Sequence, residues 1–445
     1  MSQSLYKRYF ELVPVNNITT FSVNAGVNQI TFLIPPIGGA TLNTKDLMFT
    51  GEISIDKDDG TPYTKADFGT TDVSMDSVNG LHNLINRVDI TSQGSGNSLI
   101  EQRRQYPLIN KFRRATLSKN DLVNGKYNNQ QLCSLNSNGA MNFLSREANK
   151  TGSEFAIQLN TGFLMDNVQD INLGAANGIM IKIYLSEVAN ALFNVGTTPG
   201  SKATNNWNIS MNNVRLFGRY NYVTQPLLQQ MSRVNFRKIN DLMSVVQSSG
   251  DTLANQPQVM SCHKIVHIFQ PNATTSNNID ANNSQTNQLV GLKQYTVSNN
   301  GTRFPYEYPI VNTPSISELP VSAGDGTRVA GNAEQCRLLI SAFNSQFPPV
   351  HSLVNAENQA RAFQNDKEGK IVDTLNVDAV AVDYSYGFLG YTLPMPNNLL
   401  QLNLESSVKT NDPIVVPAVS AQTATNNSFV EYDSTLQYAG MQLNA

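Results

Sequence analysis

The stretch LINRVDITSQGSGNSLIEQ (residues 84–102) has two short apolar runs on either side of a glycine-containing turn. A phosphate-binding loop needs a strand, a glycine-rich turn and then a helix that begins with Lys and Ser or Thr. Here Gly94-Ser95-Gly96 is followed by Asn97-Ser98 and then by Leu99-Ile100, the start of another apolar strand. The stretch therefore predicts a β-hairpin and not a nucleotide-binding loop.

The same two-residue alternation of apolar and polar side chains continues along the chain. It is clearest in IMIKIYLSEV (179–188), where Ile179, Ile181, Ile183 and Leu185 share one face. Many short strands with turn residues between them favour antiparallel sandwiches or jelly rolls over a parallel α/β sheet. Further strands are predicted within residues 21–34, 47–55, 154–165, 208–223, 243–249, 259–271, 288–310, 387–395, 399–407 and 428–445.

The strands form two sets that meet near residue 225. LLQQMSRVNFRKINDLM (227–243) follows Pro226 and is interpreted as a partly helical connector. We therefore expect an all-β chain of two tandem eight-stranded antiparallel jelly rolls with short helices in the connecting loops. Residues 1–225 would form the first jelly roll with an N-terminal arm, and residues 226–445 the linker and the second. Helices are predicted within 103–118, 333–347 and 355–365, and long loops at 57–80, 119–153 and 311–332.

Charge gives no sign of a nucleic-acid-binding protein. Lys plus Arg number 31 and Asp plus Glu number 34, so the net charge is −3 and no basic excess attracts phosphates. The basic stretch RRQYPLINKFRR (103–114) is interpreted as an amphipathic helix with Leu108, Ile109 and Phe112 packed inward. The cysteines Cys133, Cys262 and Cys336 are widely spaced and predict reduced thiols. Neither a secretion signal nor a membrane-spanning run is recognisable.

Motifs that carry catalysis or metal binding were tested and do not fit. In CHKIVH (262–267) a strand places His263 and His267 on one face about 13 Å apart, at ~3.3 Å per residue, too far to share an ion. DKDDG (56–60) departs from the calcium-loop spacing, so a turn is preferred and calcium is the lesser alternative. GxSxG and HExxH are absent, and the strand-flanking carboxylates Asp378, Asp383 and Glu405 form no motif. We expect no catalytic, cofactor-binding or metal-binding residues and no cofactor.

Two segments carry a resemblance to a known family. Residues 79–112, NGLHNLINRVDITSQGSGNSLIEQRRQYPLINKF, resemble a strand pair followed by a helical segment in double jelly-roll major capsid proteins. In that helical segment Pro107 replaces the usual polar residue. SCHKIVHIFQPN (261–272) and LKQYTVSNNGTRFPYEYPI (292–310) are similar to the second jelly roll of the same proteins in virophages and Polinton-like viruses.

The resemblance implies a structural protein of the virion, made in the host cell without a secretion signal. Its partners would be two further copies in a homotrimer with a pseudo-sixfold outline, neighbouring capsomers in an icosahedral shell around DNA, and penton and minor capsid proteins. The family has no catalytic residues and no sequence-specific nucleic-acid binding. The N-terminal arm MSQSLYKRYF, with its cations and aromatic rings, is expected on the inner side, in contact with neighbours, an inner layer or an internal membrane.

Two other classes stay open at this point. A carbohydrate-binding or carbohydrate-cleaving β-sandwich would also be rich in short strands. Such proteins usually carry exposed aromatic platforms and a secretion signal, whereas this chain has a single tryptophan, Trp207. A minor virion protein or receptor-binding fibre is the third class, and a fibre would be expected to show sequence repeats.

Overall fold

The structure is a computed structural model, and antiparallel strands make up most of the part that it describes. No helix in that part is long and apolar enough to cross a membrane. The described residues are 6–22, 29–57, 73–74, 80–93, 98–115, 153–165, 170–186, 193–194, 207–224, 233–246, 252–255, 262–271, 292–299, 302–304, 310–311, 388–392, 398–404, 424–439 and 442–444.

The first half of the chain contributes two facing sheets. Its strands are β1 Tyr6–Leu12, β2 Phe21–Ser22, β3 Gln29–Ile34, β4 Ala40–Leu42, β5 Met48–Lys57, β6 Val73–Ser74, β7 Ile85–Ser92, β8 Leu99–Arg103, β9 Ser153–Ile157, β10 Ile171–Asn172, β11 Ile179–Leu185, β12 Phe193–Asn194 and β13 Trp207–Tyr222. One sheet runs β1-β13-β5-β9, with β2, β4 and β10 added, and the other runs β3-β11-β7-β8. Counting the eight main strands in chain order, these are strands 1-8-3-6 and strands 2-7-4-5.

The second half repeats this connectivity. Its strands are β14 Arg233–Val246, β15 Thr252–Asn255, β16 Cys262–Pro271, β17 Leu292–Asn299, β18 Thr302–Phe304, β19 Ile310–Val311, β20 Phe388–Thr392, β21 Asn398–Leu404, β22 Ala424–Ala439 and β23 Gln442–Asn444. The sheets run β14-β22-β16-β20 and β15-β21-β17-β18. The order is again 1-8-3-6 and 2-7-4-5, which is the wrapping of a jelly roll. The predicted fold class is confirmed.

The core of the first sandwich lies between its two sheets. The alternation of Ile179, Ile181 and Ile183 in β11 places all three side chains in the interior, as predicted. Phe49 of the facing sheet packs edge-on against Phe32, with ring centroids 6.1 Å apart. Each such side chain contributes about 1.5–3 kcal/mol when fully buried. The inward face of the alternating pattern therefore accounts for the pairing of the sheets.

The hairpin predicted from residues 84–102 is confirmed. β7 and β8 pair antiparallel with Ile90 opposite Glu101, and the Ser92 N–H donates to the Ser98 carbonyl oxygen at 2.9 Å. Gly94-Ser95-Gly96 lies outside the described residues. The second predicted hairpin is also present, since Asn299 of β17 pairs with Thr302 of β18.

Helices are short. Those in the described residues are α1 Tyr106–Ala115, α2 Gly162–Met165 and α3 Leu173–Ala176, with 3-10 turns at Thr44–Asp46 and Gly80–Leu84. The helix predicted within 103–118 is α1, in which Leu108 and Ile109 are buried as expected. The side chain of Phe112 and the predicted helices at 333–347 and 355–365 lie outside the described residues.

The prediction of a partly helical connector at 227–243 is wrong from Arg233 onward. Residues 233–246 form β14, which pairs with β22 through a ladder of 14 residue pairs. Val234 and Phe236 are buried while Asn235 between them is exposed, so the strand alternation is present. The basic and amide residues among them obscure that alternation, and the long partner strand overrides local preference.

Three boundaries also differ from the predictions. The strand expected over 154–165 ends at Ile157, and the Thr161 side chain then accepts the Leu164 N–H at 3.2 Å and caps α2. The expected arm is a sheet strand over Tyr6–Leu12. Within the loop predicted at 57–80, Val73–Ser74 pairs with Phe193–Asn194. The loops predicted at 119–153 and 311–332 lie almost wholly outside the described residues, and the division of the chain at residue 225 stays a prediction.

Gly178 is expected to tolerate no side chain. Its φ is +87°, and a Cβ there would lie 2.9 Å from the Ile34 carbonyl oxygen at the start of the β11–β3 ladder. Gly178→Ala should therefore lower the free energy of unfolding by about 1–3 kcal/mol in urea titrations. The matched control is Gly38→Ala, because a Cβ at Gly38 meets nothing within 4 Å. Equal unfolding midpoints for the two variants would contradict this account.

Candidate functional site

The residues examined for metal binding do not assemble into a centre in the described part of the chain. No group of three or more His, Cys, Asp or Glu side chains is positioned there to hold an ion. Cys262, His263 and His267 all belong to β16, as predicted. A register shift between Cys262 and Lys264 interrupts the regular alternation that the sequence argument assumed. Most of the DKDDG turn and all of Asp378, Asp383 and Glu405 lie outside the described residues.

The best-built polar site is a buried junction between the two sandwiches, centred on Glu101. Glu101 and Arg103 project from β8 and are 0% and 1% exposed, with Arg103 Nη2 and Glu101 Oε1 2.7 Å apart. Glu101 also accepts the N–H groups of Gly162 at 3.1 Å and Phe163 at 2.7 Å. Arg103 Nη1 donates to the Ile239 carbonyl oxygen of β14 at 3.2 Å. One ion pair therefore connects β8, the start of α2 and the first strand of the second sandwich.

Close backbone packing completes this junction. A Cβ on Gly162 would lie 1.7 Å from the Arg237 carbonyl oxygen, so α2 can approach β14 only without a side chain at this position. Beside it the rings of Phe163 and Phe236 meet edge to face, with centroids 5.0 Å apart. Val234, Phe236 and Leu436 belong to the same buried cluster as the core of the first sandwich. The two halves thus share continuous apolar packing.

Further charges of β14 lie next to the junction. Arg237 Nη1 is 3.4 Å from Glu431 Oε1, and Glu431 is buried. Burial lowers the pKa of Lys238, while the nearby Glu101 carboxylate acts in the opposite direction. Buried carboxylates and cations are thus balanced across the contact, as burial of charge requires.

Hydrogen bonds of Tyr106 hold helix α1 next to the junction. The Tyr106 hydroxyl lies 2.8 Å from His82 Nδ1 and accepts the Asn160 N–H at 2.9 Å. The Asn160 side chain in turn bonds to Asn110 of the same helix. Tyr106 is one of the residues that carried the resemblance. Its hydroxyl connects the 3-10 turn at Gly80–Leu84, helix α1 and the segment before α2, which gives this tyrosine a structural role.

The second notable feature is the outer face of the β1-β13-β5-β9 sheet. Tyr9 is 75% exposed, and Phe217, on the adjacent strand, is 41% exposed. Two ion pairs flank them, Arg215–Glu11 at 2.9 Å and Arg219–Asp46 at 2.6 Å. Aromatic residues with arginines are the composition of protein–protein contacts more than of solvent-facing sheets.

On the opposite side of β1 the aromatic rings are stacked. Phe10 lies over Tyr220 with ring centroids 4.1 Å apart, and Tyr6 lies over Tyr222 at 4.3 Å. Burial, and then the neighbouring Tyr222, raise the pKa of Tyr220 to about 12, against a smaller opposing effect of Arg8. β1 is therefore held to the sheet by aromatic packing as well as by its ladder.

Sequence reasoning missed the role of Glu101 and Arg103, and it included Tyr9 in a segment expected to make contacts but not in a strand. Glu101 looks like an ordinary polar position of a hairpin strand, and Arg103 was assigned to the basic amphipathic helix but lies in β8. Nothing local in the sequence marks either residue as buried. Tyr9 was placed in an arm. The sequence does contain a strand pattern for this segment, because Tyr6, Phe10 and Leu12 lie at alternate positions.

Comparison with known proteins establishes the fold. No protein-family model and no curated protein sequence matches the chain. The cryo-electron microscopy structure of the Sputnik virophage matches with a TM-score of 0.54 and 11% identity, covering 100% of this chain and 89% of that one. The Faustovirus major capsid protein matches at 0.53 and 9%, covering 99% and 91%. The PBCV-1 virus capsid matches at 0.51 and 11%, covering 100% and 98%.

These matches run through both sandwiches, and the chain has the double jelly-roll fold. The fold that the resemblance implied is confirmed, and the structural neighbours of the chain are capsid proteins.

Replacing only one member of the buried ion pair is expected to destabilise the folded chain. Arg103→Met leaves the Glu101 carboxylate buried without its cation and should lower the free energy of unfolding by about 3–5 kcal/mol. The double variant Glu101→Gln/Arg103→Met removes both charges and should recover part of that loss. Urea unfolding of the two variants and the unchanged chain tests this. A double variant less stable than Arg103→Met would be the opposite result.

The Tyr220 phenol predicts a decline of stability in alkali. The folded chain holds the proton up to about pH 12, whereas the unfolded phenol releases it near pH 10. Above pH 10 the unfolded state therefore binds fewer protons, and stability falls as the pH rises from 10 to 12. Thermal unfolding at pH 9, 10 and 11 should show a smaller decline for Tyr220→Phe. Parallel declines in the two proteins would show that Tyr220 is not responsible.

Proposed function

We propose that this chain is a structural major capsid protein that builds the shell of a virion. The observation that carries the proposal is the repeat of one jelly-roll connectivity in a single chain, which matches the named capsid structures over 99–100% of its length. The described part of the chain contributes no metal cluster, and its best-organised polar groups hold two sandwiches together. Polar groups that join two sandwiches are suited to a structural role, and they give no support to a catalytic one.

The assembly unit proposed is a homotrimer. Three copies of a chain with two similar sandwiches give six similar blocks, which pack side by side in a hexagonal array. Such capsomers would tile an icosahedral shell around a DNA genome, together with penton and minor capsid proteins. The buried junction supports this, because it makes the two sandwiches of one copy a defined unit. Residues 1–225 and 226–445 are proposed as the two jelly-roll units.

The N-terminal end of β1 is proposed to lie on the inner side of the shell. Tyr6, Lys7 and Arg8 are exposed there. Aromatic rings beside cations are suited to lipid headgroups and to acidic protein surfaces. An inner protein layer or an internal membrane is the proposed contact.

Native mass spectrometry and negative-stain microscopy of the untagged chain test the proposed function. We expect a mass of three chains of 48.8 kDa each and compact particles with a hexagonal outline. The expectation follows from two similar sandwiches per chain, which fill a closed hexagonal ring when three copies meet. A monomer at every concentration, without ordered arrays, would contradict the proposal. If that monomer were retained on a glycan array, the carbohydrate-binding alternative would be favoured instead.

A further inference from the structure

The two sheets of 1-8-3-6 order differ in what covers their outer faces. In the second sandwich, Val234, Phe236 and Leu436 of β14 and β22 are buried against the first sandwich. In the first sandwich, Tyr9 and Phe217 of β1 and β13 remain exposed. One sheet therefore has its outer face covered within the chain, whereas the matching sheet has its outer face open.

The strand registers show which residues correspond. The third strand of each sandwich begins opposite the eighth strand, with Met48 facing Phe217 and Cys262 facing Tyr432. On the other side of the eighth strand, Phe217 faces Glu11 and Tyr432 faces Lys238. If the two sandwiches are aligned at these pairs, Glu11 of β1 corresponds to Lys238 of β14.

Two residues before this aligned pair, Tyr9 of β1 corresponds to Phe236 of β14. Counting one forward, Leu12 takes the place of Ile239. Leu12 packs against the first core, and Ile239 is buried outside the cluster that Phe236 joins. The inward and outward positions of the two strands therefore agree, which supports the equivalence. Phe236 is 4% exposed because it packs on Phe163, while Tyr9 is 75% exposed.

We propose that the outer face centred on Tyr9 is the docking surface for the second sandwich of another copy of this chain. Tyr9 makes between copies the contact that Phe236 makes within one copy. The inference rests on the proposed trimer and specifies which surface closes it. In this arrangement each first sandwich covers its own second sandwich, and each second sandwich covers the next copy's first sandwich.

The charges on this face suit burial against another protein. The guanidinium groups of Arg215 and Arg219 already bond to Glu11 and Asp46 on the same face. Docking would therefore bury the charges of these four residues as pairs, which avoids the larger desolvation penalty of unpaired charges. The aromatic centre supplies the apolar area, as at other protein interfaces.

The partner strand follows from the same correspondence. Within the chain, β14 packs on the fifth strand of the first sandwich, where Arg103 reaches the Ile239 carbonyl. The fifth strand of the second sandwich is β18, Thr302–Phe304, on which Thr302 and Arg303 are exposed. We therefore expect β1 of one copy to lie against β18 of the next.

Native mass measurement of Tyr9→Arg tests the surface. We expect the mass to fall from three chains to one, while Tyr9→Phe remains a trimer. Val15→Arg is the matched control, because Val15 is 51% exposed and its N–H bonds to Thr31 of the other sheet. Circular dichroism should show all three variants folded. A trimer that survives Tyr9→Arg would overturn the docking surface and leave the proposed function standing, whereas an unchanged chain that is itself a monomer would overturn both.

Crosslinking tests the same contact without relying on a disruptive substitution. Copies carrying Tyr9→Cys are co-expressed with copies carrying Thr302→Cys and treated with a short bismaleimide. In every sample the native Cys133, Cys262 and Cys336 are replaced by Ser, so that only the introduced thiols react. We expect a covalent dimer band that is missing when either variant is treated alone and when Val15→Cys replaces Tyr9→Cys. Equal bands in the test and control pairs, or no band in a sample that is trimeric by mass, would overturn the inference.

Discussion

The carboxylate of Glu101 lies where water does not reach it, and the surrounding elements are arranged to satisfy it. It bonds to the Arg103 guanidinium and to two backbone N–H groups at the start of α2. Because a buried carboxylate without partners would be strongly unfavourable, these elements must keep their places. Arg103 extends the same requirement to the Ile239 carbonyl of β14. The ion pair therefore fixes the relative position of the two sandwiches, together with the apolar packing of Phe163 on Phe236.

The sequence foretold the elements whose residues carry a strong local pattern. Ile179, Ile181 and Ile183 alternate without interruption, so β11 was predicted with its buried face. The glycine turn between Ser92 and Leu99 predicted the hairpin, because its second strand follows at once. Only the end of β14 was predicted, within 243–249. Its earlier part was taken for a connector, since Lys238 and Asn240 interrupt the apolar alternation that Val234 and Phe236 begin, and its partner strand lies almost 200 residues further along the chain. Pairing between strands so distant in sequence cannot be recognised from the residues of one short segment.

The candidate site was harder to foresee than the fold. A buried Glu101 and an exposed Tyr9 both contradict the ordinary preference of their residue types, and burial is decided by neighbours distant in sequence. The spacing of the chain's histidines and carboxylates also predicts that the tested catalytic and metal sites are absent, and this stays a prediction. The structure adds that the two sandwiches share one connectivity but differ at one face. Under the proposed docking, that difference gives each copy two unlike contact surfaces, an open face on the first sandwich and a partner face on the second.

The pairing of β1 with β13 also sets an order in time. Tyr6–Leu12 is made first, yet in the described part of the chain its partner is Leu216–Tyr222, made about 200 residues later. At roughly 5–20 residues per second of synthesis, the strand waits on the order of 10–40 s for that partner. Throughout this delay its aromatic side chains have no sheet to pack on, and a ribosome-bound chain offers no finished surface. The proposed assembly between copies therefore has to follow the pairing of the last strand of the first sandwich.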